Sequence, residues 1–222
     1  MKERLGHEKA ALGFYLTGHL FDEYAFEVRQ FAKRRLDDLP DSREPQLLAG
    51  IVTDFRVINA NRGRLGLFRL DDKSGVIDAA VDEALLNANR NLFKEDELVI
   101  VSGKLQPDRF SGGSRLNVQQ VWDLTAARCR FGKYLRVSVN GVPPDVHQLV
   151  KMHPPQREVS EQGELLRGLG VRLAVRVNQP EGKSPAQADL HLGEAARFYP
   201  SEAALASWIA QAANGQAVIV YE

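Results

Sequence analysis

Between residues 46 and 123 apolar residues recur at every second position or run together in short blocks, and Gly, Asp and Asn punctuate the blocks. Leu47–Ile58, Arg64–Asp71, Val76–Val81, Glu97–Leu105 and Arg115–Trp122 read as five strands. Glu83–Leu92 carries helical spacing and follows Asp82, an N-cap residue, so one helix is expected between the third and fourth strands. Gly63 and Gly75 sit in the tight turns between the first three strands, and Gly112-Gly113 in the link between the last two. In the second strand Gly66, Phe68 and Leu70 share one face and Leu65, Leu67 and Arg69 the other. The set with Phe68 is predicted to point inward.

The flanking segments are patterned differently. Residues 7–36 read as helical, with Ala10, Ala11, Phe14 and Tyr15 on one stripe, and Asp37–Pro45 is a polar linker. Beyond the strands, Leu135–Val139 predicts a strand, Asp145–Met152 a helix, Val171–Val177 and Asp189–Gly193 two strands, Ser201 to about Ala213 a helix, and Ala217–Tyr221 a closing strand. Residues 154–170 carry few signals and read as a loop. Five strands with a helix between the third and fourth is the element order of an OB-fold barrel. Strand-helix-strand-strand-helix-strand is the ferredoxin-like order. The fold class expected is therefore mainly β and α+β: a helical arm over 1–44, a five-stranded barrel over 45–128 and a small ferredoxin-like domain over 129–222.

Composition narrows the chemistry. Lys plus Arg and Asp plus Glu number 29 each, so any nucleic-acid partner must be held by a local patch. The single cysteine, Cys129, forms no internal disulfide, and no apolar run approaches a membrane span. The charged start has no apolar block behind it, and a cytoplasmic protein is the expectation. Asp71-Asp72 has the look of a metal pair for phosphoryl transfer, but it runs into Lys73-Ser74-Gly75, which is turn chemistry with glycine taking a positive φ. The five histidines are scattered, Ser111–Ser114 lacks the lysine of a phosphate loop, and there is no nucleophile elbow. No catalytic residue, metal or cofactor is expected in this chain.

The cations are more informative. Arg56, Arg62 and Arg64 lie in or beside the first hairpin, with no acid between residues 55 and 70. Lys104, Arg109 and Arg115 flank the link between the last two strands, which also carries Phe110. In an OB-fold these loops and the second and third strands frame the ligand face. Cations there track phosphates, an aromatic stacks on a base, and Leu67 and Arg69 point to the same side. Ordinary solvated loops are the alternative. Arg128, Arg130, Lys133 and Arg136 read as a charged connector helix. Gln187–Leu192 resembles a clamp-binding peptide but alternates as a strand, and Gln216, Val218, Val220 and Tyr221 form a glutamine-led tail able to contact a partner.

Several of these residues together resemble one family. Glu8-Lys9, Ala11–His19, Gly50-Ile51-Val52, Arg62-Gly63, Leu70-Asp71-Asp72, Ser74-Gly75, Val99–Val101 with Gly103, Phe110–Gly113 and Val121, Asp123-Leu124, Ala127-Arg128 follow in order the pattern of the bacterial DNA polymerase III alpha subunit. The resemblance reaches about residue 128. It implies the C-terminal part of a longer DNA-directed DNA polymerase, with the polymerase chemistry upstream and this piece noncatalytic. It implies a barrel that binds single-stranded template DNA, and a final domain that binds the clamp-loader tau subunit among other replisome subunits in DNA replication. The chain departs from the pattern at Leu20, at Ala60-Asn61 and at Val81-Asp82, which bears on the strength of DNA binding more than on the fold. The alternative is a pure interaction module whose barrel face binds protein.

Overall fold

In the computed structural model the residues described are 8, 18–40, 44–60, 63–107, 113–160, 163–177 and 186–221. They form two compact units, Met1–Leu124 and Thr125–Glu222.

The first unit is a closed barrel. Its strands are β1 (Gln46–Ala60), β2 (Gly63–Asp71), β3 (Val76–Asp82), β4 (Leu98–Pro107) and β5 (Ser114–Trp122), hydrogen-bonded in the order β1-β2-β3-β5-β4. Closure comes from the parallel pairing of β3 with β5 and the antiparallel pairing of β1 with β4, which leaves no free sheet edge. Helix α2 (Glu83–Ala88) lies between β3 and β4, and Asp82 caps it by accepting from the Leu85 amide at 2.8 Å. The second-strand parity holds: Gly66, Phe68 and Leu70 are buried, whereas Leu67 and Arg69 are not. Phe68 packs with Leu48, Val52, Val99, Val101 and Leu116 in the interior, its ring 5.4 Å from that of Phe93.

The stripe of Ala10, Ala11, Phe14 and Tyr15 lies outside the described residues, and from residue 18 on the arm is less helical than expected. Among described residues it holds one helix, α1 (Asp22–Val28), and residues 29–36 run as turn and coil. Arg29 accounts for this break, because its guanidinium donates to the carbonyls of Ala32 and Arg34 and so satisfies backbone that a helix would otherwise satisfy. Leu20, Phe21, Val28, Ala32 and Leu36 are buried, and Leu36 joins the barrel core.

The second unit contains α3 (Leu124–Phe131), whose first residue closes the barrel unit, then β6 (Gly132–Asn140), α4 (Val146–Met152), β7 (Gln156–Ser160), β8 (Gly163–Arg167), β9 (Gly170–Val177), β10 (Ala186–His191), α5 (Glu202–Gln211) and β11 (Ala217–Tyr221). Two expectations are corrected. Residues 154–170 are not a loop but contain the β7–β8 hairpin. The connector read as a helix through Arg136 ends at Phe131, and Lys133 and Arg136 lie on β6. The predicted strand-helix alternation is otherwise present, but the sheet order is β10-β9-β6-β11 with β6 and β9 adjacent and parallel. A ferredoxin-like unit splits that strand pair with the third strand; here β10 lies outside instead. Leu135, Val137, Val139, Val171 and Leu173 point to one face and pack with Leu149 of α4 and Trp208 of α5.

Candidate nucleic-acid interface

A groove of about 410 Å³ crosses the outside of the barrel. Its walls come from β1 (Asp54, Phe55, Arg56), β2 (Leu67, Phe68, Arg69), β3 (Asp78, Ala79) and β5 (Arg115). The three arginines therefore arrive from three different strands. Arg56 reaches the groove through a β-bulge. Thr53 pairs with Arg69 and Arg56 with Leu67, so β1 spends one more residue than β2 over that interval. The extra residue is taken up at Asp54, whose φ of 53° lies in the left-handed region, tolerated by aspartate better than by most residues. Strict alternation from Thr53 would turn Arg56 inward and Phe55 outward. The bulge reverses both, and Phe55 stacks on Phe93 with ring centroids 6.1 Å apart.

The groove is not uniformly positive. Asp54 lies 3.4 Å from Arg69 Nη1, and Asp78 lies 3.8 Å from Arg69 Nε. Asp78 is also the register partner of both Arg69 and Arg115. Arg56 has no ion-pair partner among the described residues. Apolar surface continues from the groove along β1, where Val57 and Ile58 are exposed.

The other predicted contacts divide. Arg64 is committed elsewhere: its Nε donates to Glu83 Oε1 at 2.7 Å, its backbone amide to Glu83 Oε2 at 3.0 Å and its Nη2 to Asn87. These bonds, led by the backbone amide, hold the Glu83 carboxyl below its ordinary pKa. Arg64 thus ties the first hairpin to α2 and does not line the groove. Lys104 is exposed on β4 opposite Asn117 and lies outside the groove walls. Arg62, Arg109 and Phe110 fall outside the described residues.

Asp71 and Asp72 are turn residues and more. Asp72 is buried, and its Oδ1 accepts from the Ser74 and Gly75 amides at 3.0 and 3.1 Å and from the Ser74 hydroxyl. Its Oδ2 accepts from Arg29 and from the Leu36 amide at 3.0 Å. Burial pushes this carboxyl up, and the bonds from Ser74, Arg29 and Leu36 outweigh it and hold it below the ordinary carboxylate value. Asp71 accepts from the Lys73 amide at 2.8 Å and lies 3.1 Å from His19 Nε2. Lys73 donates to both oxygens of Asp22 at 2.8 and 2.9 Å. The positive φ of the turn belongs to Lys73, at 71°, and not to Gly75. Gly75 is small for another reason, since a Cβ there would lie 3.1 Å from the Asp37 amide of the arm. Among described residues no group of three or more His, Cys, Asp or Glu is placed to hold a metal ion.

This geometry has relatives. Residues 47–124 match the OB-fold nucleic acid binding domain family. The DNA polymerase III subunit alpha of Pseudomonas aeruginosa is 41% identical over 141 residues, 63% of this chain and 12% of that protein. Those of Vibrio cholerae and Escherichia coli K12 are 37% and 33% identical over 141 and 139 residues, again 12% of each protein. Over that stretch the chain is similar to DNA polymerase III alpha subunits. It spans 12% of the length of these relatives.

Linear reading missed three features. Asp54 and Asp78 lie outside the acid-free window of residues 55–70, and sheet pairing returns both to the groove. The burial of Asp72 depends on an arm some forty residues upstream. Finally, the tail Gln216, Val218, Val220 and Tyr221 is no free peptide: Ala217–Tyr221 pairs with β6, and the Gln216 carbonyl accepts from the Ser138 amide. Val218 is the exposed member of that strand. Gln187–His191 likewise forms most of β10.

Proposed function

We propose that the barrel groove binds single-stranded DNA, as the noncatalytic template-holding part of a replicative polymerase alpha subunit. The observation that carries this reading is the convergence of Arg56, Arg69 and Arg115 from three strands around Leu67. Guanidinium groups suit phosphate oxygens, and an apolar floor suits base faces. Asp54 and Asp78 offset part of the charge, so affinity is moderate, on the order of micromolar, and strongly salt-dependent. Fluorescence anisotropy with labelled oligo-dT tests it. The pair Arg56→Ala/Arg115→Ala should weaken binding by about tenfold and flatten the log–log salt slope by roughly 1.4, or about 0.7 per lost phosphate contact. An unchanged slope, or no binding by the wild type at low salt, overturns the reading in favour of a barrel face that binds protein.

We assign the docking of a clamp-loader tau subunit to the second unit. The support is apolar: Leu165 and Leu166 on the β7–β8 hairpin are 56% and 39% exposed, and Met152 is 57% exposed. Such surface on a small unit favours a protein partner. Capture of the chain by immobilised tau should fall sharply in Leu165→Ser/Leu166→Ser. Full retention sends the contact elsewhere, with Val218 on β11 the next residue to change.

A further inference from the structure

The four-stranded sheet of the second unit has one face packed against helices and one face that is polar and cationic. On the open face Arg136 of β6 and Arg172 of β9 are register partners, and Arg176 lies two repeats of side-chain alternation further along β9 on the same side, past Ala174. Like charges opposed across neighbouring strands repel, so the sheet carries a cost here that one carboxylate only partly relieves. Asp189 of β10 lies 3.6 Å from Arg136 Nη2. Arg172 is stacked on the Tyr134 ring, 3.7 Å from its centroid. Arg176 is exposed and has no ion-pair partner among the described residues. A hollow of about 370 Å³ opens over Arg136 and Arg176, with the amides of Asn140, Gln187 and Gln216 on its walls.

We infer that this open sheet face is a second binding surface for single-stranded nucleic acid, separate from the barrel groove. Arg172 and Arg176 are four residues apart on an extended strand, about 13 Å. That is too far for one carboxylate or one phosphate to bridge, so the complementary ligand is an extended polyanion. Amides that both donate and accept, and an aromatic ring held by a guanidinium, suit bases between the phosphates. An acidic peptide offers the same charge and is the competing ligand. The inference concerns residues that the groove reading does not use, so either can fail alone.

The test uses the full chain and labelled oligo-dT about thirty nucleotides long, with Arg56→Ala/Arg115→Ala as the background. Adding Arg172→Ala/Arg176→Ala should weaken the remaining binding at least threefold and remove a further salt slope of about 1.4. Arg172→Lys/Arg176→Lys should restore most of both, because lysine keeps the charge. An unshifted thermal midpoint shows that the variants are folded, and the lysine pair covers the case where the alanine pair is not. An alanine pair that binds like its background overturns the inference. So does competition in which a poly-glutamate peptide of matched charge displaces oligo-dT as well as unlabelled oligo-dT does.

Discussion

The two charged regions at the ends of β2 use the same residue types for opposite ends. At the β2–β3 turn, Asp72 is buried and accepts five hydrogen bonds from the arm and from its own turn. In the groove, Arg56, Arg69 and Arg115 are set around apolar surface with two offset carboxylates. A buried charge survives only when every lone pair is occupied, and that requirement turns Asp72 into a fastener between arm and barrel. An exposed cation with donors to spare costs little in water and retains its attraction for an anion. The difference between fastening and binding thus lies in satisfaction and burial, not in the identity of the residues.

The comparison breaks most easily at the fastener. Asp72→Ala should cost about 2–4 kcal/mol, since it strands Arg29 and three backbone amides at once. Chemical denaturation reads that loss, while oligo-dT affinity of the folded fraction should stay within about twofold. The pH dependence has a definite sign. The Asp72 value is lowered on folding, so its contribution is present above the unfolded carboxylate pKa of about 3.9 and is lost as pH falls through the lower folded value. Asp72→Asn should lack that acid-limb loss, so its stability deficit relative to wild type should narrow as pH falls through the lower folded value. The groove substitutions proposed above form the converse, with a large effect on binding and a small one on stability. Arg64→Ala should have the smallest binding effect, less than about twofold. Its partner Glu83 lies on the α2 side of the hairpin, and exposed ion pairs contribute little. A tenfold loss of DNA affinity in that variant would place Arg64 in the interface and erase the distinction.

The barrel was legible because its strands are short, alternate cleanly and end in turn residues, and because Asp82 and Ser201 mark helix starts by side-chain capping. The Gly66, Phe68, Leu70 parity could be read for the same reason. Long-range pairing was not legible. Whether β10 inserts beside β6 or adds outside β9 depends on contacts between segments about fifty residues apart, and no local pattern records it. The β7–β8 hairpin hides in strands of only five residues each, too short to show a clean alternation. The arm looked helical from its apolar content, but among the described residues Leu20, Phe21, Val28 and Ala32 are buried while Arg29 occupies the carbonyls of Ala32 and Arg34. The groove arginines were found in part, since Arg56, Arg69 and Arg115 meet there while Arg64 does not.

The bulge at Asp54 has a bearing on how this surface can change in length. Elsewhere, hairpin tips absorb an added or deleted residue with little consequence. Deleting Asp54 would remove the bulge and restore strict alternation with Phe55 still inward and Arg56 still outward, whereas flattening the bulge with all its residues kept would carry Arg56 into the barrel and Phe55 out to water. An insertion–deletion scan along β1 should therefore find loss of Asp54 tolerated, like changes at the tip near residues 59–60, with the sharpest loss where deletion of Phe55 sets Asp54 opposite the inward Phe68.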